Sequence, residues 1–348
     1  MAEKLLADGT QDFVAIRRGL IADPHFVNKV QSGKEQSIKR CICCLYCFES
    51  MYDNAFKGKN GECAVNPAVG RERVYANLPQ DGFGRYVVVV GAGVAGLMSA
   101  EILLKRGFNV TVLEQEKVGG GQINLADKPP QKGKIKWATD DLEHTVAELG
   151  GRIHYSTQAT ADDIKALDPY AVIVATGGVA VKPISIPGVT HKHVYTVTEV
   201  LDGSVSLSDQ SVAVIGSGLT GLETAELLAE KNQVSVVEMA STISPSTYEQ
   251  HRRNVLPRLE KQNVHFYPAY QLSGIEEKSI ALRSTRTGEL LELEADSVVL
   301  AVGVKPVNSL YDELISVLDR VYKVGDANQA GRIANATQDA YQVAIKIM

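Results

Sequence analysis

Two glycine-rich turns and one knot of cysteines hold the residues of this chain best suited to chemistry. The first turn is Gly91-Ala92-Gly93-Val94-Ala95-Gly96, between the β-branched run Tyr86–Val90 and a helical stretch from Val94 to Arg106. In that setting the first glycine makes a tight turn, the second lets a pyrophosphate approach the backbone, and the third allows close helix contact. The phosphates then meet free N–H groups at the helix start. Glu114 ends the next strand, 23 residues after Gly91, where a carboxylate accepts from an adenosine ribose 2′-OH. The second turn, Gly216-Ser217-Gly218-Leu219-Thr220-Gly221, repeats the plan, with Glu238 placed 22 residues after Gly216. Glu238 would repel a 2′-phosphate, and residues 239–243 contain no Arg or Lys. NADH is therefore expected over NADPH. Arg252 and Arg253 lie further on and read as a solvated helix face. Two dinucleotides in one chain pair most simply as a flavin and a nicotinamide dinucleotide, the latter delivering hydride.

The cysteines form the third group. All five lie between Cys41 and Cys63, and a tight cluster reads first as a metal site. Cys41, Cys44 and Cys47 make C-x2-C-x2-C, and Cys63 is the distant fourth. Four thiolates suit a [4Fe–4S] cluster. Zinc also takes four cysteines, but usually from two separated C-x2-C knuckles. Cys43 is the spare thiol and reads as a small buried residue. Disulfide reductases on a two-dinucleotide scaffold need a redox cysteine pair in the flavin or nicotinamide domain. No cysteine follows Cys63, which excludes thioredoxin-reductase or lipoamide-dehydrogenase chemistry.

The elements that must position these groups follow an α/β rhythm from Arg85 onward. Strands are expected at 86–90, 109–113, 171–176, 211–215, 233–237, 297–302 and 320–326. Helices are expected at 94–106, 138–149, 219–231 and 333–347. Continuous Val/Ile runs of this kind form buried parallel strands. The two turns are 125 residues apart, an internal duplication of one βαβ plan. Residues 1–30 read as helix, strand, helix, with Asp12–Ile16 as a lone strand that must dock on something. The fold class is α/β: two nested Rossmann-like dinucleotide-binding domains behind a cysteine-rich segment. Composition is ordinary for a globular chain, with 45% apolar and 22% charged residues and a net charge of −5. There is no basic surplus for nucleic acid or an anionic membrane, no run of about 18 apolar residues for a membrane span, and no signal-peptide core. A cytoplasmic location is expected.

Three features together resemble the C-terminal portion of the iron–sulfur flavoenzymes that include 2,4-dienoyl-CoA reductase, 2-enoate reductase and trimethylamine dehydrogenase. These are Arg18-Gly19-Leu20-Ile21-Ala22-Asp23-Pro24, the cysteine segment through Cys63-Ala64-Val65-Asn66-Pro67, and the two glycine turns. That family carries an Old Yellow Enzyme-like FMN barrel, then a [4Fe–4S] segment, an FAD domain and a nested nicotinamide domain. The resemblance implies a remnant of the last barrel βα unit at 1–38 and an iron–sulfur segment at 39–70. It implies an FAD domain built from 71–188 and 299–348, and an NAD(P)H domain at 189–298. FAD would be held by Gly91, Gly93, Gly96, Glu114, Gln115, Gln122, Gly325 and Asp326. Gly325-Asp326 is similar to the second flavin contact of two-dinucleotide reductases. NAD would be held by Gly216, Gly218, Gly221 and Glu238, and the cluster by Cys41, Cys44, Cys47 and Cys63. Arg18 matches an arginine on the FMN phosphate, but Arg17 and Cys43 stand where the family has glycine. Most of the barrel is missing, so FMN is expected only if another chain supplies one.

The sequence thus reads as an NADH-dependent FAD/[4Fe–4S] oxidoreductase module. Hydride would pass from nicotinamide to flavin, then single electrons to the cluster, and on to an FMN-barrel subunit or another acceptor. No acid–base side chain is assigned, because the cofactors carry the chemistry. Two other readings are a fragment of an enoate or dienoyl-CoA reductase, inactive on enoates without its barrel, and a non-catalytic structural subunit. The intact motifs argue against the last.

Overall fold

A computed structural model describes residues 2–75 and 77–348. Its first sheet grows from Tyr86–Val90, whose Val87, Val88 and Val89 are fully buried. A strand buried on both faces needs a partner on each edge and a layer on each side. Asn109–Leu113 pairs along one edge and Ala171–Val174 along the other, both parallel, with Val88 opposite Thr111 and Val172. Arg152–His154 and Val321–Lys323 complete the five-stranded sheet at its two edges. The helix Val94–Lys105 lies on this sheet and packs against Ile333–Ala344, the last helix. Leu97, Met98 and Leu103 meet Tyr341, Ala344 and Ile347 in its core.

The second sheet has the same plan. Ser211–Ile215 lies at its centre, between Gln233–Glu238 and Ser297–Leu300, all parallel, with His265–Pro268 and Val194–Thr196 at the edges. An antiparallel sheet, Tyr270–Ile275, Ser279–Ser284 and Leu290–Glu294, packs Ile280 and Leu282 onto Ala213, Ile215 and Leu300. The first sheet takes its edge strand Val321–Lys323 from beyond the whole second sheet. The outgoing and returning chains run side by side, with Gly178–Ala180 antiparallel to Val304–Pro306.

The α/β class and its buried parallel strands are as the sequence predicts; several element ends are not. The run 171–176 stops at Val174, ahead of Gly177, whose φ is +72°. The helix from Leu219 ends at Leu228, whose carbonyl accepts from the Lys231 N–H at 3.2 Å and from the Asn232 side chain at 2.9 Å. The strand expected over 320–326 is only Val321–Lys323, because Gly325–Ala327 turns as a 3₁₀ helix.

One expected element is absent. Residues 12–16 form no strand, and Phe13 is 90% exposed. A strand is stabilised by its ladder, and no neighbour offers one here. The helices Arg18–Ala22 and Phe26–Gln31 instead attach to the cysteine segment. Ala22 is buried with Ile42, Cys63 and Val65. Asp23 accepts from the Lys39 N–H at 2.9 Å and from Lys29 Nζ at 2.6 Å.

Candidate functional site

The first glycine turn is shaped by what surrounds each glycine. Gly91 has φ +105°, and a Cβ there would collide with the Ala175 carbonyl oxygen of the neighbouring strand. A Cβ at Gly96 would collide with the Gly91 carbonyl oxygen, so the helix can start this close to the strand only without one. Gly93 is different: a Cβ there would have nothing within 4 Å. That open cradle, at a helix N-terminus, fits a phosphate against the backbone. The Glu114 carboxylate is buried and faces the turn, accepting from the Ala92 N–H at 2.7 Å and the Glu116 N–H at 2.9 Å. A carboxylate has about four acceptor sites, so capacity for a hydroxyl remains.

The second turn reproduces this geometry. Gly216 has φ +105° and abuts the Ala301 carbonyl, Gly221 abuts the Gly216 carbonyl, and the space at Gly218 is open. Glu238 accepts from the Ser217 N–H at 3.0 Å, the Ser217 hydroxyl at 2.6 Å and the Ala240 N–H at 2.8 Å. Burial alone would raise the pKa of this carboxyl, but the hydrogen bonds, led by the Ser217 hydroxyl, outweigh it and lower the value. Arg252 and Arg253 are both engaged by Glu249 of their own helix, at 2.5 and 2.7 Å.

A second loop closes over the first turn. The Gly120 N–H donates to the Ala92 carbonyl at 2.8 Å. Two residues on, Gln122 Nε2 donates to Asp326 Oδ2 at 2.9 Å. Asp326 Oδ1 accepts from the Gly331 N–H at 2.9 Å, and burial pushes this carboxyl up against those two bonds. A Cβ on Gly325 would sit 2.6 Å from that of Ala95, so this C-terminal dipeptide lies against the start of the first helix. Gln122, Gly325 and Asp326 therefore gather at the first turn. Gln115 stands exposed beyond Glu114 and joins none of these contacts.

Cys41, Cys44, Cys47 and Cys63 line one recess, together with Arg18, Ile21 and Leu45. The backbone is left-handed at both Cys43 and Leu45, each with φ 56°, which folds the loop back on itself. Cys43 is not part of the lining; its Sγ lies 3.7 Å from the Cys41 carbonyl oxygen. Burial, reinforced by the neighbouring thiols, pushes Cys44 up to about 11 and raises Cys63 as well. Among the described residues, no three His, Cys, Asp or Glu side chains converge on a point suited to a single metal ion. The recess shares its apolar backing with the first turn: Ile42, Cys63 and Val65 are buried with Val94, Ile123 and Ala334.

The second turn belongs to the other sheet. His251 connects that part of the chain to the cysteines, with a ring nitrogen 3.0 Å from the Cys44 carbonyl oxygen. The supports of the cysteine loop carry no sequence signal. Arg332 makes a two-pronged bond to Glu49, 2.7 Å in each arm, and stacks over Tyr46. The Thr337 hydroxyl donates to the Ala64 carbonyl at 2.9 Å. These partners are more than 270 residues apart in sequence, and no motif or periodicity marks them.

The chain is 37% identical to an NADH oxidase of Thermoanaerobacter brockii over 99% of its own length and 53% of that protein's. It is 35% identical to a bilirubin reductase of Mediterraneibacter gnavus, again over 99% of this chain and 53% of the relative. A solved 2-naphthoyl-CoA reductase complex superposes with a TM-score of 0.92 at 30% identity, covering 99% of this chain and 52% of that one. The chain thus spans about half the length of the relatives it matches. No helix among the described residues is long and apolar enough to cross a membrane. A family model, pyridine nucleotide-disulphide oxidoreductase, matches residues 85–340, which include both parallel sheets and both glycine turns, and the chain belongs to that family of flavin- and nicotinamide-dependent oxidoreductases.

Proposed function

We propose that this chain is an NADH-dependent electron-transfer module holding FAD at the first glycine turn, a [4Fe–4S] cluster at the cysteine recess and NADH at the second turn. The observation that carries the reading is that the four cysteines at C-x2-C-x2-C spacing line one recess, backed by the same apolar cluster as the first turn. Four thiols around one recess match the four thiolate ligands that such a cluster takes. Held there, FAD would supply hydride acceptance from NADH and one-electron release, and a cluster at the cysteines would supply one-electron transfer towards an outside acceptor.

The protein's own groups bind and orient. Gly91, Gly93 and Gly96 open the phosphate cradle, Glu114 takes the adenosine ribose, and the Gln122–Asp326 pair with Gly325 closes over the cofactor. Gly216, Gly218, Gly221 and Glu238 do the same for the nicotinamide dinucleotide. Glu238 favours NADH, because an ionised carboxylate accepts from a 2′-OH and repels a 2′-phosphate, and Arg252 and Arg253 are tied to Glu249. The FAD unit would comprise 71–188 and 299–348, and the nicotinamide unit 189–298. Disulphide reduction is not part of the proposal, since no cysteine follows Cys63. The acceptor would be an FMN barrel on another polypeptide or another electron carrier.

Anaerobic purification with cofactor analysis tests the reading. We expect FAD, about four irons per chain, bleaching of the flavin absorbance by NADH, and reduction of ferricyanide but not of enoates. Cys44→Ser should remove the iron and leave FAD bound. Stoichiometric zinc without iron, or FMN in place of FAD, would overturn it.

A further inference from the structure

The two glycine turns differ at the residue after the first glycine, Ala92 in one and Ser217 in the other. Ser217 is fully buried, and its hydroxyl has two partners. The Ser244 N–H lies 2.7 Å from Ser217 Oγ. An amide N–H can only donate, so Ser217 Oγ accepts there, and its single proton goes to Glu238 Oε2, 2.6 Å away. Ser244 is itself fully buried, in a left-handed conformation with φ 51°, and its hydroxyl bonds that of Thr247. The hydroxyl of Ser217 therefore links three things: the glycine turn, the ribose-side carboxylate and the loop that follows it. At the first turn, among the described residues, Glu114 has only the Ala92 and Glu116 N–H groups and no such link.

We propose that Ser217 is a positioning residue that sets the dinucleotide preference of the second turn, by orienting Glu238 towards the ribose and tying the cation-free loop 239–244 against it. This rests on the reading of that turn as the nicotinamide-nucleotide site. A hydroxyl proton committed to Glu238 needs an acceptor oxygen, so the link favours the ionised carboxylate in the rotamer that faces the turn. The same link, through Ser244, holds in place the segment that a 2′-phosphate would have to displace. That segment contains no Arg or Lys to compensate. Without the hydroxyl, Glu238 keeps two backbone donors but is free to rotate, and the loop is free to withdraw.

The test is calorimetric binding of ADP-ribose and 2′-phospho-ADP-ribose to the FAD-loaded full chain, in the parent protein, Ser217→Ala, Glu238→Ala and the double variant. FAD content and melting temperature check that each variant is folded. Ser217→Ala should weaken ADP-ribose about tenfold, the effect of one charge-assisted hydrogen bond, and leave 2′-phospho-ADP-ribose unweakened. In the Glu238→Ala background the serine substitution should weaken ADP-ribose no further, because that loss runs through the carboxylate, and only the loop tie through Ser244, which bears on the 2′-phosphate, is left to lose. An unchanged ratio in Ser217→Ala, or an additive loss in the double variant, overturns the role of Ser217 alone. Should the alanine variant lose its fold, Ser217→Thr, which keeps the hydroxyl, must retain the parent ratio; a narrowed ratio there overturns the proposal. A parent protein that binds neither ligand, or prefers the 2′-phosphate, overturns the assignment of the second turn itself.

Discussion

Gly93 and Gly96 stand three residues apart in one motif, yet their roles separate cleanly. Gly93 has extended backbone, φ −80° and ψ −178°, which any residue adopts, and open space where a side chain would go. Gly96 faces the Gly91 carbonyl across a contact that leaves no room for a Cβ. Gly93→Val should therefore fold with a near-parent melting temperature and fail to retain FAD. Gly96→Val should lose both, since overpacking against backbone costs at least about 1–3 kcal/mol. Flavin absorbance after desalting, read beside a thermal melt, checks the pair. A Gly93→Val protein that keeps its flavin would remove the phosphate cradle from the argument. This distinction was half legible in the sequence, because the spacing of a turn motif encodes local geometry. Glu114 and Glu238 were legible for the same reason: each ends a strand adjacent to its own turn. The bond from Gln122 to Asp326 was not readable as a contact, because it joins residues 204 apart.

At the scale of elements, the long buried strands were legible and the short ones were not. Tyr86–Val90 and Ser211–Ile215 declare themselves by continuous β-branched runs that can only be buried on both faces. Asp12–Ile16 has a similar local composition but no ladder, and without one it is not a strand. The helix Tyr46–Ala55, which carries the third cysteine of the spacing motif in its first turn, is held by tertiary bonds. Glu49 of that helix is buried under Arg332, whose pKa is raised chiefly by their hydrogen bonds. Removing one arm of such a pair leaves the other buried and unpaired. Arg332→Leu should loosen this helix, with Cys47 in it, and the adjoining loop that carries Cys44, while the first glycine turn keeps its own supports. The expected outcome is several-fold faster loss of iron to a chelator at unchanged flavin content. Equal rates of iron loss in the two proteins would show that the loop does not depend on Arg332.

At the scale of the molecule, the question is what joins the cysteine segment to the first sheet. Besides the shared apolar cluster, the join is ionic and buried. Lys39, just ahead of the first cysteine, places Nζ 2.7 and 2.6 Å from the two oxygens of Glu101 on the helix Val94–Lys105. Lys105 reaches the same carboxylate at 2.5 Å, and Glu101 is 1% exposed. Burial on its own would raise the pKa of Glu101; the two ammonium groups, Lys39 foremost, outweigh it and bring the value down to about 2 from an ordinary 4.5. The sign of the linkage follows. The folded value lies below the unfolded one, so the contribution is complete above about pH 4.5 and is lost as pH falls towards 2. Melting temperature should fall across this window. Glu101→Gln should lower stability at neutral pH by about 3 kcal/mol, since it leaves Lys39 buried without its counter-charge. The same variant should show a shallower acid limb, because the titrating group is gone. Thermal melts of both proteins at neutral pH and down to about pH 3 decide the matter. Parallel acid limbs would mean that the acid sensitivity of the join lies elsewhere, with Asp23, whose pKa is also lowered despite its burial, through bonds from Lys29 and the Lys39 backbone, as the next carboxylate to test.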